Sequence, residues 1–302
     1  MCLSLVMGTL YLQARGKSGQ SSQKRYPLLA KRLFLENPSD VIINFEPLRK
    51  QVKEYLASVN VPHSFYFEYL FTGSNIRDGE NNKLVGASLM KIPIVMDLYK
   101  ATEQGKTSLD TKVTVPSDLV NANDKQYGNQ ANLKPGDQIT LGEAAKIALE
   151  ESDNAAAYTI FNFINNLLPQ QDQALNNLDI ETQSGQSSDK GNYVLIGAAE
   201  YTSILRCLYF SCFLNPDDSQ AVLNYLINSA DNNRIRAGVP QDIQVARKIG
   251  SFSNITQSDC GIVYVPNRRY TLCIMLDEDA TPADQHIKKI SEIVYNYIKN
   301  IN

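Results

Sequence analysis

The sequence predicts an α+β fold, on three observations. An aromatic-rich stretch with strand character, Ser64–Phe71, lies towards the N-terminus. Two more strand-like stretches, Gly261–Val265 and Tyr270–Leu276, lie towards the C-terminus, and the residues between carry helical periodicity. At 302 residues and 43% hydrophobic, the chain can bury a sizeable core in one large domain.

In chain order, Phe45–Ala57 reads as a helix with Leu48, Val52, Tyr55 and Leu56 on one face. After the first strand, Leu89–Tyr99 is an apolar helical run containing Pro93. Proline removes one i→i−4 bond and fits only near the first turn, which predicts a helix starting close to Ser88. Leu141–Leu149 and the run from Ala155 to Ile164 are helical patterns, and Ser152-Asp153-Asn154 between them has the residue types that cap helices. Gln183–Gly191 is polar and reads as solvated loop. Ile243–Arg247 alternates as a strand and runs into Lys248-Ile249-Gly250, where a strand glycine marks close approach of a ligand or another backbone. Pro266–Arg269 is read as a hairpin loop with Val265 opposite Tyr270, and Ile287, Ile290, Ile293, Val294, Tyr297 and Ile298 form the apolar face of a last helix.

Composition excludes several functions. The net charge is −3 with no evident basic face, so nucleic acid is not an expected partner. No glycine-rich phosphate loop is apparent, and the five cysteines show no metal spacing, so neither cofactor nor metal is expected. Cys207 and Cys212 would point to different sides of a helix, and the hairpin register sets Cys260 against Met275, so free thiols are expected. Cys2–Leu12 is apolar but shorter than the ~20 residues a membrane-spanning helix needs. It reads as the remnant of a membrane anchor or as a floppy tail within residues 1–40, ahead of a catalytic region over 41–302.

Three short strings carry the chemistry: Ser88-Leu89-Met90-Lys91, Ser152-Asp153-Asn154 and Lys248-Ile249-Gly250. Ser-x-x-Lys also occurs at Ser21/Lys24 and Ser187/Lys190, both in polar runs; only Ser88 opens an apolar helix. A serine at a helix start lies near unpaired N–H groups, and a lysine three residues on shares its face. Such a lysine becomes a base when burial or a second cation lowers its pKa, and Lys248 is the candidate cation. With only two histidines in the chain, His63 and His286, a lysine-activated serine is the natural nucleophile. Taken singly, each string is equally well read as a helix cap or a surface lysine.

Taken together and in this order, the strings resemble those of the class A β-lactamases and the related D-Ala-D-Ala peptidases, from about Phe45 to the C-terminus. The spacing is similar too: Ser152 lies 64 residues after Ser88, and Lys248 lies 96 after Ser152. The resemblance implies an antiparallel sheet built from both termini, flanked by helices, with a helical subdomain inserted over about 89–233. It implies Ser88 as the acylated nucleophile, Lys91 as its proton acceptor, and Ser152 with Lys248 as the relay to the leaving nitrogen. Asn154, Gly250 and Ser251 would bind substrate, the Ser88 and Ser251 N–H groups forming an oxyanion hole. Tyr127, in an Asn/Gln-rich loop that could form the rim of the cleft, is a candidate for stacking on the ligand, the alternative being a surface-turn tyrosine. The implied partners are a β-lactam or a peptidoglycan peptide, and the implied location is extracytoplasmic, secreted or membrane-anchored.

Two departures from the family pattern matter. Ile249 stands where the family has Thr or Ser and offers no hydroxyl, which leaves open whether Ser251 compensates. The family's loop Glu, in Glu-x-x-Leu-Asn, activates the water that releases the acyl group, and no such string occurs between Leu175 and Tyr193. Acylation is therefore expected to survive and deacylation to be slow, since a missing general base costs ~10²–10⁴ in rate. A D-Ala-D-Ala peptidase or transpeptidase, and a binding module that has lost catalysis, remain alternatives.

Overall fold

The computed structural model describes residues 43–117, 131, 133–187 and 191–301. Within it, Glu46–Asn302 is one compact unit. Tyr127, the N-terminal apolar stretch and Ser21 lie outside the described residues.

Helix α1 (Glu46–Val59) is followed by β1 (His63–Tyr69), β2 (Ser74–Asp78) and the two-residue β3 (Leu84–Val85). A 3₁₀ turn, Ala87–Met90, runs directly into α2 (Lys91–Glu103), which places Pro93 in the first turn, where its missing N–H breaks no helical bond. Then come β4 (Lys112–Thr114), β5 (Gln138–Thr140), α3 (Leu141–Glu150), α4 (Asn154–Ile164), a 3₁₀ turn (Gln170–Asp172) and the short α5 (Ala174–Asn177). The hairpin β6 (Gln183–Ser187) and β7 (Gly191–Ile196) precedes α6 (Ala198–Phe210), α7 (Pro216–Ile227) and α8 (Arg234–Ala237). The chain ends with β8 (Val245–Phe252), β9 (Thr256–Val263), β10 (Tyr270–Asp277) and α9 (Ala280–Lys299).

The main sheet has the order β2-β1-β10-β9-β8, so the two N-terminal strands pair onto the three C-terminal ones, and β8 is an edge. All its pairings are antiparallel. Strand alternation splits the core in two. Tyr66, Ala246, Cys260, Ile262, Cys273 and Met275 join one cluster with the buried faces of α2, α3, α4, α6 and α7. Phe65, Phe67, Leu272 and Ile274 have the opposite parity and are also buried, on the face covered by α1 and α9. The predicted α+β fold, with an antiparallel sheet from both ends and helices on its faces, is what the structure has.

Three local readings are corrected. The hairpin pairs Val263, not Val265, with Tyr270, and Asn267 takes φ 58° in the turn that joins the strands. That two-residue shift sets Cys260 opposite Cys273, and their sulfurs are bonded. Cys207 and Cys212 are bonded as well: α6 ends at Phe210, and Ser211 in the left-handed region brings Cys212 back over the helix. Four of the five thiols are therefore not free. Within the polar run, Gln183–Ser187 is strand β6 and Gly191 opens β7, where pairing of β7 with β3 overrides the loop-like composition.

Candidate active site

Ser88 sits in the 3₁₀ turn that starts α2, and Lys91 is the first residue of the helix proper. Ala87 just before it has φ 45°, a left-handed conformation unusual for a residue with a Cβ. Ser152, between α3 and α4, also lies in this region at φ 59°. Such strained residues gather at functional sites. Asp153 is fully buried and caps α4, accepting the Ala156 N–H at 2.8 Å and the Ala131 N–H at 3.1 Å, a structural task.

The Lys91 ammonium, on a side chain only 5% exposed, gathers the first two strings. It lies 2.8 Å from Ser88 Oγ, 2.7 Å from the Ser152 carbonyl, 3.4 Å from Ser152 Oγ and 2.5 Å from Asn154 Oδ1. Burial lowers its pKa well below the usual lysine value, the Lys248 charge lowers it further, and Asp153 opposes both. Lys248 on β8 is completely buried, and its Nζ has no hydrogen-bond partner among the described residues. Its pKa falls to about 8, chiefly through burial, with Asp231 the strongest opposing charge.

Gly250 settles which close approach a glycine in β8 marks. A Cβ there would lie 2.4 Å from Ser258 Oγ, 3.0 Å from the Gly86 carbonyl oxygen and 3.1 Å from Leu89 Cγ. The approach is by backbone: the glycine lets the third string pack against the segment that carries Ser88. Ser251 stays exposed, its hydroxyl accepting from Arg234 at 3.2 Å.

Arg234 escaped the sequence reading because no motif marks it. It is 3% exposed and donates to Gly250 O and Ser258 O, to Ser251 Oγ and Gln257 Oε1, and to Asp284 on α9 at 2.6 Å. Behind it, the buried pair Arg247–Asp259 at 3.1 Å holds the α8 backbone through the Ile235 N–H. These groups brace β8 at the site.

A carboxylate with the expected loop spacing lies just upstream of Leu175. Asp172-Gln173-Ala174-Leu175-Asn176 has an acid three residues before Leu-Asn, with Asp in place of Glu. Allowing aspartate in the pattern and starting the search upstream of Leu175 would have found it. Asp172 closes the 3₁₀ turn Gln170–Asp172, is partly buried, and forms no ion pair among the described residues. Its loop is pinned to α2 by the Ala174 N–H, which donates to Asp97 Oδ1 at 2.6 Å. Glu181, by contrast, is exposed and faces Lys83. Among the described residues, no group of His, Cys, Asp and Glu could hold a metal ion.

A serine hydroxyl on a buried lysine, beside a second serine and a carboxamide, is the site of a serine hydrolase-like enzyme. The chain belongs to the β-lactamase enzyme family, whose family model matches residues 47–298. β-Lactamase 1 of Bacillus cereus is 28% identical over 169 residues, 52% of this chain and 55% of that protein. The chain thus matches about half the length of that curated relative. PBP-A has a similar fold, with a TM-score of 0.75 at 21% identity over 84% of this chain and 96% of that one. A β-lactamase from Sphaerobacter thermophilus gives 0.70 at 16% identity, over 85% and 98%.

Proposed function

We propose that this protein forms an acyl-enzyme on Ser88 with β-lactams and releases it slowly. The observation that carries the reading is the set of partners around Lys91. The Ser152 carbonyl and Asn154 Oδ1 can only accept, so a neutral Lys91 amine spends its two N–H bonds on them. Its lone pair then faces the nearer of the two hydroxyls able to reverse direction, Ser88 Oγ at 2.8 Å against 3.4 Å for Ser152 Oγ. Ser88 Oγ attacks the amide carbonyl as its proton passes to Lys91 Nζ; the collapsing tetrahedral adduct takes a proton from Ser152 at the leaving nitrogen, and Lys91 passes its proton on to Ser152 Oγ. The Lys248 ammonium, which has no hydrogen-bond partner among the described residues, suits a substrate carboxylate, which would offset the burial of its charge.

Release is slow in this reading because Asp172 is one methylene shorter than the family's glutamate. A second reading, a peptidase or transpeptidase acting on D-Ala-D-Ala ends, is favoured by the same residue, since peptidases need not release β-lactams quickly. A leucine-to-glutamate variant of PBP-A, itself solved as an acyl-enzyme with penicillin G, has a TM-score of 0.74 to this chain. The two disulfides support an oxidising, extracytoplasmic location, as do the substrates proposed.

Incubation with penicillin followed by intact mass over time tests the reading. A persistent adduct on Ser88 is expected, and Asp172→Glu should shorten its lifetime at least tenfold. An adduct that turns over rapidly would indicate an efficient β-lactamase, and no adduct a binding module.

A further inference from the structure

The face of β8 turned towards the nucleophile has two distinct ends. Lys248, Gly250 and Phe252 alternate with Arg247, Ile249 and Ser251 along the strand, so the first three share one face. That this face meets the Ser88 segment follows from Gly250, which lies against Gly86 and Leu89. At one end of the row is the Lys248 ammonium, suited to an anionic group. At the other end the Phe252 ring stands 5.1 Å from the Tyr193 ring, their planes inclined at 52°.

Tyr193 is well held for a residue on a polar hairpin. Its strand, β7, pairs with β3 just before the nucleophile, Val85 opposite Leu195, and the Val194 carbonyl accepts the Gly86 N–H at 2.8 Å. Gly185 lies directly opposite Tyr193 on β6, where a Cβ would stand 2.1 Å from the ring carbon Cε2. The ring therefore lies over the Gly185 backbone, with Phe252 beside it. Both rings are only partly buried. Two residues of strand advance about 7 Å, so this pair begins roughly two peptide units beyond Gly250, about the reach of an amide, a methylene group and the ring they carry. An acyl donor with its anion at Lys248 and its carbonyl at Ser88 would carry its acyl substituent to these rings.

We infer that Tyr193 and Phe252 form an aromatic wall that selects acyl donors bearing a flat, apolar side chain on the acyl group. The inference rests on the acyl-enzyme reading above and adds the substituent class. Aromatic rings in contact prefer offset or edge-to-face packing, and an aryl substituent can complete such a cluster where a methyl group cannot.

The test compares benzylpenicillin with its acetyl analogue, in which a methyl group replaces the benzyl group. Second-order acylation rates of Ser88 are measured by mass spectrometry for the natural protein and for Phe252→Ala, Phe252→Leu, Tyr193→Ala and Tyr193→Phe. The natural protein is expected to prefer the benzyl compound by about tenfold. The two alanine variants and Phe252→Leu should lose most of that preference while keeping the acetyl rate within about twofold, and Tyr193→Phe should retain it. An unchanged preference in both alanine variants overturns the inference, as does a parallel fall in both rates, which would mark the rings as structural. No adduct with either compound on the natural protein sinks the acyl-enzyme reading itself, and this inference with it.

Discussion

Lys91 shows how much a single buried amine can be made to do by its neighbours. Burial and Lys248 lower its pKa and Asp153 raises it, so the three can be separated by their signs. Lys91→Met should slow Ser88 acylation by ~10²–10⁴. Lys248→Ala should let the Lys91 pKa rise, moving the acid limb of the acylation pH profile to higher pH. Asp153→Asn, which keeps the α4 cap, should move it lower. An acid limb that ignores both substitutions would mean that another group is the base. Asp97, elsewhere on α2, carries the opposite shift: burial raises its pKa to about 7, although the Ala174 N–H opposes. The folded state therefore holds a proton that the unfolded state gives up in the ordinary carboxylate range. The stability this group contributes is fully present at low pH and is lost as pH rises through about 7. Asp97→Asn keeps the acceptor for Ala174, so its stability gain over the natural protein should be larger at pH 8 than at pH 5, by on the order of 2 kcal/mol. Denaturant titrations at the two pH values measure the difference, and equal gains would refute it.

At the scale of elements, the site depends on how closely β8 approaches the turn that carries Ser88. Gly250→Ala forces a Cβ against Ser258 and the Gly86 carbonyl, and overpacking of this kind costs about 1–3 kcal/mol. Because the strain falls between the Ser88 and Ser251 segments, acylation should fall as well, and intact-mass kinetics alongside thermal melts would register both. Normal acylation in a folded Gly250→Ala protein would mean that the contact does not shape the site. The helices and strands that form this junction were legible in sequence because their apolar residues repeat with the element's own period: α2, α3, α4, β1, β10 and α9. The β6–β7 hairpin was not. Its residues are polar, and its pairing comes from Leu84 and Val85, about a hundred residues away. Asp172 was overlooked because it lies upstream of the Leu175–Tyr193 segment searched and has the spacing of the expected glutamate but not its identity.

Across the whole molecule, two disulfides close loops that sequence reasoning left open. Cys260–Cys273 joins β9 to β10 on the same face as Lys248, which pairs with Cys260 across β8 and β9. Alkylation of the unfolded, unreduced protein should therefore label one of the five cysteines, and all five after reduction. Labelling of three or more without reduction would contradict the pairing. No described helix is long and apolar enough to cross a membrane.

Sequence alone determined the fold class and the local setting of Ser88, because periodicity and helix-start chemistry are local properties written in consecutive residues. It also placed Lys248 on a strand beside a glycine. Only the tertiary structure decided which groups reach Lys91, that Gly250 admits a backbone, that Arg234 braces β8 and that the thiols pair. Each of these depends on contacts between residues far apart in the chain, where a two-residue change of register alters every partner and no local pattern records it.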